Sequence, residues 1–378
     1  MAVKLIFRAA VTLLVITVLL TGGLILYLTI TEYRPQDVMP VQILGKQNRP
    51  VDLRDELTIT TFNTGYAALE RDADFFMDGG TMSRGLSEGR VEQNLAKITA
   101  LLQSLGSDFY LLQEVDENAT RSYGINQREQ MAKALPDYVS SFAVNYQVGW
   151  VPIPVLQPMG RVLSGLQTLS RYTVHEATRF SLPSTASWPI RLGHLKRCLL
   201  ESRIPVNGGR ELVIAHVHLE AFDSGGSLRS EQLAFIEDYA RAEVAKGNYV
   251  VLGGDWNHLL AANPQEVRAR FSATWPSWLQ LLPEGFLAEF QWAYDEEVPS
   301  VRDLAAPYDP QHTFTCTIDG FLVSPNVEIL EVYGHDLGFE FSDHNPVTLR
   351  FKLRGDEAVQ EDEQPDEPVE ELEELEEQ

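Results

Sequence analysis

An α/β layered sandwich is the fold this sequence predicts, on three observations. Short apolar runs rich in β-branched residues alternate with two amphipathic helical stretches. One strong turn signal joins two of those runs as a hairpin. The conspicuous polar motifs fall where apolar runs end, as they do when strands deliver side chains to one edge of a sheet. At 378 residues the chain could hold two ordinary domains. The motifs run from Asn63 to His344, however, so a split would divide them, and one domain over 55–355 is expected.

The first element is an apolar run over 9–30, broken only by Thr and the pair Gly22-Gly23. About 20 such residues cross a bilayer as a helix. Lys4 and Arg8 precede the run, which places the short N-terminus in the cytoplasm and the remainder outside. A cleaved signal peptide is the competing reading. Its core would be about 7–15 residues before a small-residue site, whereas here Leu24-Ile25-Leu26-Tyr27-Leu28 continues past the glycines. Residues 1–30 therefore read as a cytoplasmic stub and transmembrane anchor. Residues 31–54, with Pro35, Pro40 and Pro50, read as a linker away from the membrane.

Residues 57–62 form the first expected strand, ended by Asn63-Thr64-Gly65. Val91, Leu95, Ile98, Leu102 and Leu105 recur at spacings of three and four, giving a helix over 90–105 stopped by Gly106. A short buried strand at 109–112 then delivers Gln113-Glu114. Strands at 198–206 and 211–219 flank the hairpin turn Asn207-Gly208-Gly209. A second helix over 228–246 has Leu233, Ile236, Ala240 and Val244 on one side, and Gly247-Asn248 ends it. The strand at 249–252 leads into Gly253-Gly254-Asp255, and strands at 317–324 and 346–353 complete the set.

The formal net charge is −24, unevenly placed. Residues 356–378 carry 13 acids and no Lys or Arg, which leaves −11 for the rest. So few apolar groups cannot offset the entropy of ordering that stretch, and it reads as an acidic disordered tail. An acidic body also argues against nucleic-acid binding, whose non-specific affinity comes from Lys and Arg on phosphates. The two cysteines, Cys198 and Cys316, lie far apart, so a thiolate zinc site or Cys-x-x-Cys redox pair is excluded on count.

Five polar motifs carry the chemistry: Phe62-Asn63-Thr64, Gln113-Glu114-Val115-Asp116, His216-Val217-His218-Leu219, Gly254-Asp255-Trp256-Asn257 and Ser342-Asp343-His344-Asn345-Pro346. A carboxylate at a strand end either caps a turn or holds a hard cation; Mg²⁺ needs only one or two of them because it keeps several waters. His216 and His218 share one face of an extended segment. Read alone they suit a zinc pair, but the Asp-His that a dinuclear zinc site would add is missing from the residues that follow. Asp255 and Asn257 alternate after a Gly-Gly that permits close backbone approach, although Gly-Asp-x-Asn is equally a turn signal. An acid beside His344 raises imidazole basicity and fixes its tautomer.

Taken together and in this order, the motifs resemble those of the endonuclease/exonuclease/phosphatase (deoxyribonuclease-I-like) superfamily, over roughly residues 56–353. The resemblance implies a four-layer α/β/β/α sandwich of two packed mixed sheets with helices outside. It implies that Glu114 is the principal metal ligand, assisted by Asn63, and that Asp343 either contacts the metal or orients His344. It also implies that His218 hydrogen-bonds a non-bridging phosphate oxygen, and that Asp255 orients or deprotonates water. Asn257 would position the phosphate, and His344 would act as base or phosphate contact. Asp319 matches an acid that hydrogen-bonds a catalytic histidine, although Gly320 follows it where the family carries an aromatic. His216 falls where the family often has Asn and reads as structural, and Trp256 reads as packing. The reaction implied is Mg²⁺-dependent hydrolysis (Mn²⁺ as a substitute) of a phosphate ester by in-line attack of water.

The substrate class stays open. A membrane-anchored phosphodiesterase or phosphatase acting on a lipid or small phosphate ester is one reading, and an extracytoplasmic nuclease is the alternative. A non-enzymatic adaptor on the same fold would be free to lose the polar motifs. Arg84, Arg90, Arg121 and Arg128 are candidates for a nucleic-acid groove or for gripping one headgroup. The apolar loops around Trp150 and Trp275 either dip into lipid or pack on the sandwich.

Overall fold

The hairpin at Asn207-Gly208-Gly209 lies at the middle of one large sheet. In this computed structural model, which describes residues 2–184, 186–221, 223, 226–272 and 274–355, that sheet has seven strands. In spatial order they are β1 (Val38–Pro40), β7 (Glu176–Ser181), β8 (Cys198–Pro205), β9 (Glu211–His218), β10 (Tyr249–Asp255), β16 (Asp319–Val323) and β13 (Gln291–Ala293). The second sheet runs β17 (Val327–Gly334), β18 (Val347–Leu353), β3 (Leu57–Asn63), β4 (Phe109–Asp116), β6 (Gly160–Ser170), β5 (Val139–Val151) and β2 (Ile43–Leu44). Two short pairs stand apart: β11 (His258–Leu259) with β12 (Gln280–Leu281), and β14 (Val301–Arg302) with β15 (Thr315–Cys316). Both large sheets are mixed: β9 and β10 pair in parallel, as do β3 and β4, and the other pairings are antiparallel.

The sheets pack face to face over one apolar core. Leu57, Ile59, Phe109 and Leu111 meet Leu212, Ile214, Val251 and Phe321 there, all buried. Helices cover the outer faces. α2 (Glu88–Leu105) presents Val91, Leu95, Ile98 and Leu102 to Phe62, Tyr110 and Leu112, joined by Met131 of α3 (Gln127–Ala134). α4 (Ser227–Ala245) packs Leu233, Ile236 and Ala240 against Val217, Val250 and Leu252. A shorter helix, α5 (Pro264–Arg270), lies in the connection beside β11 and β12. These are the four layers that the resemblance implied. The ends of α2 follow from its sequence. Ser87 caps it by accepting from the Arg90 N–H, and Gly106, at φ 59°, returns its N–H to the Leu102 carbonyl.

Three sequence expectations need comment. Residues 31–54, expected as a linker, instead supply β1 and β2, the outermost strand of each sheet on that side, and Val51 bridges to Val206. Pro40 is tolerated because an edge strand can spare an N–H. The long strands β5 and β6 carry no clean alternation in sequence. Their pairing slips at Val144/Tyr146 and at Val148/Val151, and each slip reverses which residues face the core. The acidic tail at 356–378 lies outside the described residues.

The apolar N-terminal run is one helix, α1 (Ala2–Ile30), long and apolar enough to cross a membrane; a signal sequence would pass the same test. Only its last turns touch the sandwich. Leu28 packs against the cluster of Tyr146, Val148, Val151 and Met159, and Trp188 Nε1 donates to Thr29 Oγ1 at 3.2 Å. Cys198 and Cys316 are both buried free thiols.

Candidate active site

Register explains why the motifs meet. Asp255 ends β10 and lies directly opposite His218 on β9 and Asp319 on β16, so three functional groups from adjacent strands leave the sheet side by side. On the facing sheet Asn63 ends β3 opposite Gln113 of β4. Asp343 and His344 sit in the turn just before β18. The same edge of both sheets thus lines one cavity of about 420 Å³, whose walls include Asn63, Glu114, His218, Asp255, Asp343 and His344.

Two backbone features aim these groups. Glu114 sits at the slip in β4–β6 pairing between Leu112 and Val115, with φ 55°. This left-handed conformation is costly for a non-glycine residue, and as a bulge it turns the carboxylate out of the strand and into the cavity. Gly254 has φ 143°, and a Cβ there would come 1.9 Å from the Val217 carbonyl oxygen, so the backbones of β9 and β10 can approach only with glycine before Asp255.

Asp255 Oδ2 is the hub of the hydrogen-bonding network. It accepts from Asn63 Nδ2 at 3.1 Å and lies 3.3 Å from His218 Nε2 and 3.9 Å from His344 Nε2. Its Oδ1 accepts the Asn257 N–H at 3.0 Å. The Asn257 amide donates in turn to the Leu219 carbonyl at 2.9 Å, locking the turn after β10. His344 Nδ1 donates to Asp319 Oδ2 at 2.8 Å, which leaves Nε2 facing the cavity 3.9 Å from Asp343 Oδ2. The fields are strong because the groups are buried. Asp255 is pushed up to about 7 by burial and then by Asp319. Burial opposes a charge on His344 most strongly, yet Asp319, Asp343 and Asp255 together outweigh it and raise the imidazole to about 10. His218 goes the other way, driven well below its ordinary value by burial and by Arg197 and His344, and is neutral. Burial raises Glu114 and Asp343 as well, and the charge of Asp343 adds to the rise of Glu114.

The donor set fits a hard divalent cation. Asp255, Asp319 and His344 offer ligand atoms within 4.8 Å of one another. Asp319 Oδ2, however, already accepts from both His344 and Ser300 Oγ (2.7 Å), so this trio is better satisfied as an acid–imidazole network. Glu114 differs: among the described residues its carboxylate has no hydrogen-bond donor and no ion-pair partner, although its charge is disfavoured there. Oxygen ligands from Glu114, Asn63 and Asp343 suit Mg²⁺ chemistry, and a cation would relieve the repulsion between the two carboxylates.

All eight sequence-selected residues lie at this one edge. His216 does not reach the cavity. It is fully buried between the sheets, with Nε2 2.7 Å from Gln113 Nε2 and Nδ1 3.1 Å from Thr168 Oγ1. The four arginines do not form a groove. Arg84 donates to the Pro158 carbonyl, Arg90 pairs with Glu70 and Asp72, and Arg128 pairs with Glu117. Arg121 does line the cavity, but it is forked onto Asp116 and lies 3.7 Å over the Tyr66 ring. Sequence reasoning missed Arg197. It is buried in the cavity wall, and its Nε and Nη1 have no hydrogen-bond partner among the described residues; Glu220 is 3.7 Å away. Asp78, raised to about 7 by burial and the charges of Asp343 and Asp303, was missed as well. Neither residue sits in a recognisable motif.

Comparison with known proteins identifies the class to which this sandwich belongs. The Endonuclease/Exonuclease/phosphatase family model matches residues 61–344, and the chain belongs to that family. Solved structures share the fold at low identity. An endonuclease/exonuclease/phosphatase from Beutenbergia cavernae DSM 12333 is 20% identical, with TM-score 0.54, covering 80% of this chain and 72% of that one. One from Bacteroides vulgatus is 16% identical, with TM-score 0.50, covering 80% and 100%. D. rerio TDP2 complexed with a single-strand DNA product is 15% identical, with TM-score 0.50, covering 79% and 99%. No curated protein matches the sequence. Members of this family are generally metal-dependent phosphoester hydrolases.

Proposed function

We propose that the protein is a membrane-anchored, Mg²⁺-dependent phosphoesterase that hydrolyses phosphodiester or phosphomonoester bonds of a lipid or small molecule. The observation that carries this reading is the convergence of Asn63, Glu114, His218, Asp255, Asp343 and His344 on one cavity from two sheets, with Asp319 bonded to His344 from behind. Glu114, Asn63 and Asp343 would hold the metal, which when bound neutralises charge developing on the phosphoryl oxygens.

The remaining residues divide the work by charge state. Asp255, with a pKa near neutrality, accepts a proton from the attacking water and holds that water in line. His344 is already a cation at neutral pH, so it donates to a phosphoryl oxygen or to the leaving group rather than acting as a base. Neutral His218 donates a second hydrogen bond to the phosphoryl group. Asp319 and Ser300 hold the His344 ring in place. Asn257 fixes the turn that presents Asp255. Arg197, paired only at 3.7 Å with Glu220 and with Nε and Nη1 making no hydrogen bond, brings donors to the same wall and grips the phosphate on entry.

The test is turnover by the full chain in detergent with Mg²⁺, on a generic diester, a monoester and DNA. Glu114→Gln and His344→Ala should each abolish it. DNA cleavage with steep salt dependence would favour the nuclease reading, and turnover unaffected by either substitution would overturn the active-site assignment.

A further inference from the structure

We propose that the mouth of the catalytic cavity rests on the bilayer, within a rim that contacts lipid, so that an apolar-chained phosphate ester enters directly from the membrane. This rests on the phosphoesterase reading above and specifies where its substrate comes from.

Three separate segments build the rim. The first is the exit of α1, whose Leu28 lines the cavity itself. The second is the end of β5 with the loop after it, where Trp150 is 39%, Ile153 49%, Val155 84% and Leu156 100% exposed. The third is the turn carrying Trp188 (53%) and Ile190 (69%). The latter two both touch α1: Trp188 donates to Thr29, and the Tyr27 hydroxyl packs against Gly149 at the end of β5. Trp150, Ile153 and Ile190 also line the cavity, so exposed rim and interior wall form one continuous apolar surface. That surface runs inward over Phe75, Phe76 and Val151 toward the polar cluster.

The occupant follows from what adjoins the rim. A helix suited to a bilayer ends there, which fixes the rim at membrane level if α1 spans. Indole rings prefer the water–lipid boundary, where the ring is apolar and its N–H is wet. Just outside the rim, Arg34, Arg191 and Lys196 surround Glu32 at 2.7, 3.2 and 3.5 Å, and with Asp37 lining the same hollow the cations still outnumber the acids where phosphate headgroups would lie. The second apolar loop found in the sequence makes the contrast. Trp275 packs on Phe314 and donates to the Leu279 carbonyl within a local cluster that also holds Trp278, so that loop is part of the fold although Trp278 reaches the cavity wall.

The experiment uses the full chain reconstituted in phosphatidylcholine vesicles, with three readouts. Brominated phosphatidylcholine should quench a fraction of tryptophan emission that is missing in a Trp150→Phe/Trp188→Phe chain. Octyl phosphate should inhibit turnover of a soluble aryl diester at least about tenfold more strongly than ethyl phosphate, because its extra methylenes lie along the wall. Val155→Glu/Leu156→Glu, in side chains too exposed to support the fold, should lower the brominated-lipid quenching and leave soluble-diester turnover unchanged. Equal quenching in the parent and double-Phe chains, or equal inhibition by the two alkyl phosphates, overturns the proposal. Absence of soluble-diester turnover would instead overturn the phosphoesterase reading, whatever the quenching shows.

Discussion

Asp319 and His344, distant in sequence, form a buried acid–imidazole pair at 2.8 Å, and Ser300 holds the same carboxylate oxygen at 2.7 Å. The pair sets the charge state of His344, because Asp319 is the strongest of the acids that raise it to about 10.

The first prediction concerns pH. A raised imidazole is protonated below its folded value and loses the proton as pH rises through it, so the parent protein should keep activity until the pH nears 10. Asp319→Asn should bring that alkaline limb below about pH 9 and cost about 10²–10⁴ in kcat. A pH–rate profile of kcat/KM for both proteins checks it; an unmoved limb would separate His344 from the chemistry.

Glu114→Gln keeps the shape of the side chain and removes its charge. Mg²⁺ binding, measured by calorimetry, should weaken by at least about tenfold, since affinity follows ligand charge count. Thermal stability without metal should hold or rise, because burial and Asp343 both oppose the charge being removed.

His216 tests the structural assignment. It links β9 to β4 and β6 through Gln113 and Thr168, and burial holds it neutral with a value of about 3. His216→Ala strands buried polar partners and should cost about 1–3 kcal/mol in urea unfolding. Metal affinity in the folded fraction should be unchanged.

Arg197→Met removes the guanidinium beside Glu220 while retaining bulk. KM for a phosphate ester should rise about tenfold, consistent with loss of a charge-assisted hydrogen bond, with a smaller change in kcat. Arg197→Lys should recover part of the loss. Steady-state kinetics at fixed Mg²⁺ separate the two parameters.

Much of this site can be read in the sequence, because strand ends and short motifs coincide. Asn63, Glu114, His218 and Asp255 each stand at the end of an apolar run whose length and composition mark a strand, and His344 stands just before one. The gaps have physical causes. Arg197 precedes β8 with no motif around it, and its significance is that Nε and Nη1 make no hydrogen bond in the wall beyond a 3.7 Å ion pair with Glu220, which is a property of packing. The edge strands in 31–54 are two or three residues long and gain their hydrogen bonds only from partners more than ninety residues away.

The chain's local chemistry by itself determines which residues are available for catalysis and which segments are strand, helix or bilayer-length apolar run. Side-chain period, turn residues and hydrophobic spacing are short-range properties that need no partner. Only the tertiary structure decides that Asp255 lies between His218 and Asp319, that a bulge turns Glu114 inward, and that Trp275 packs in a local cluster while Trp150 stands at the cavity beside α1. Those outcomes depend on register and burial, which arise when separate strands close over a shared core.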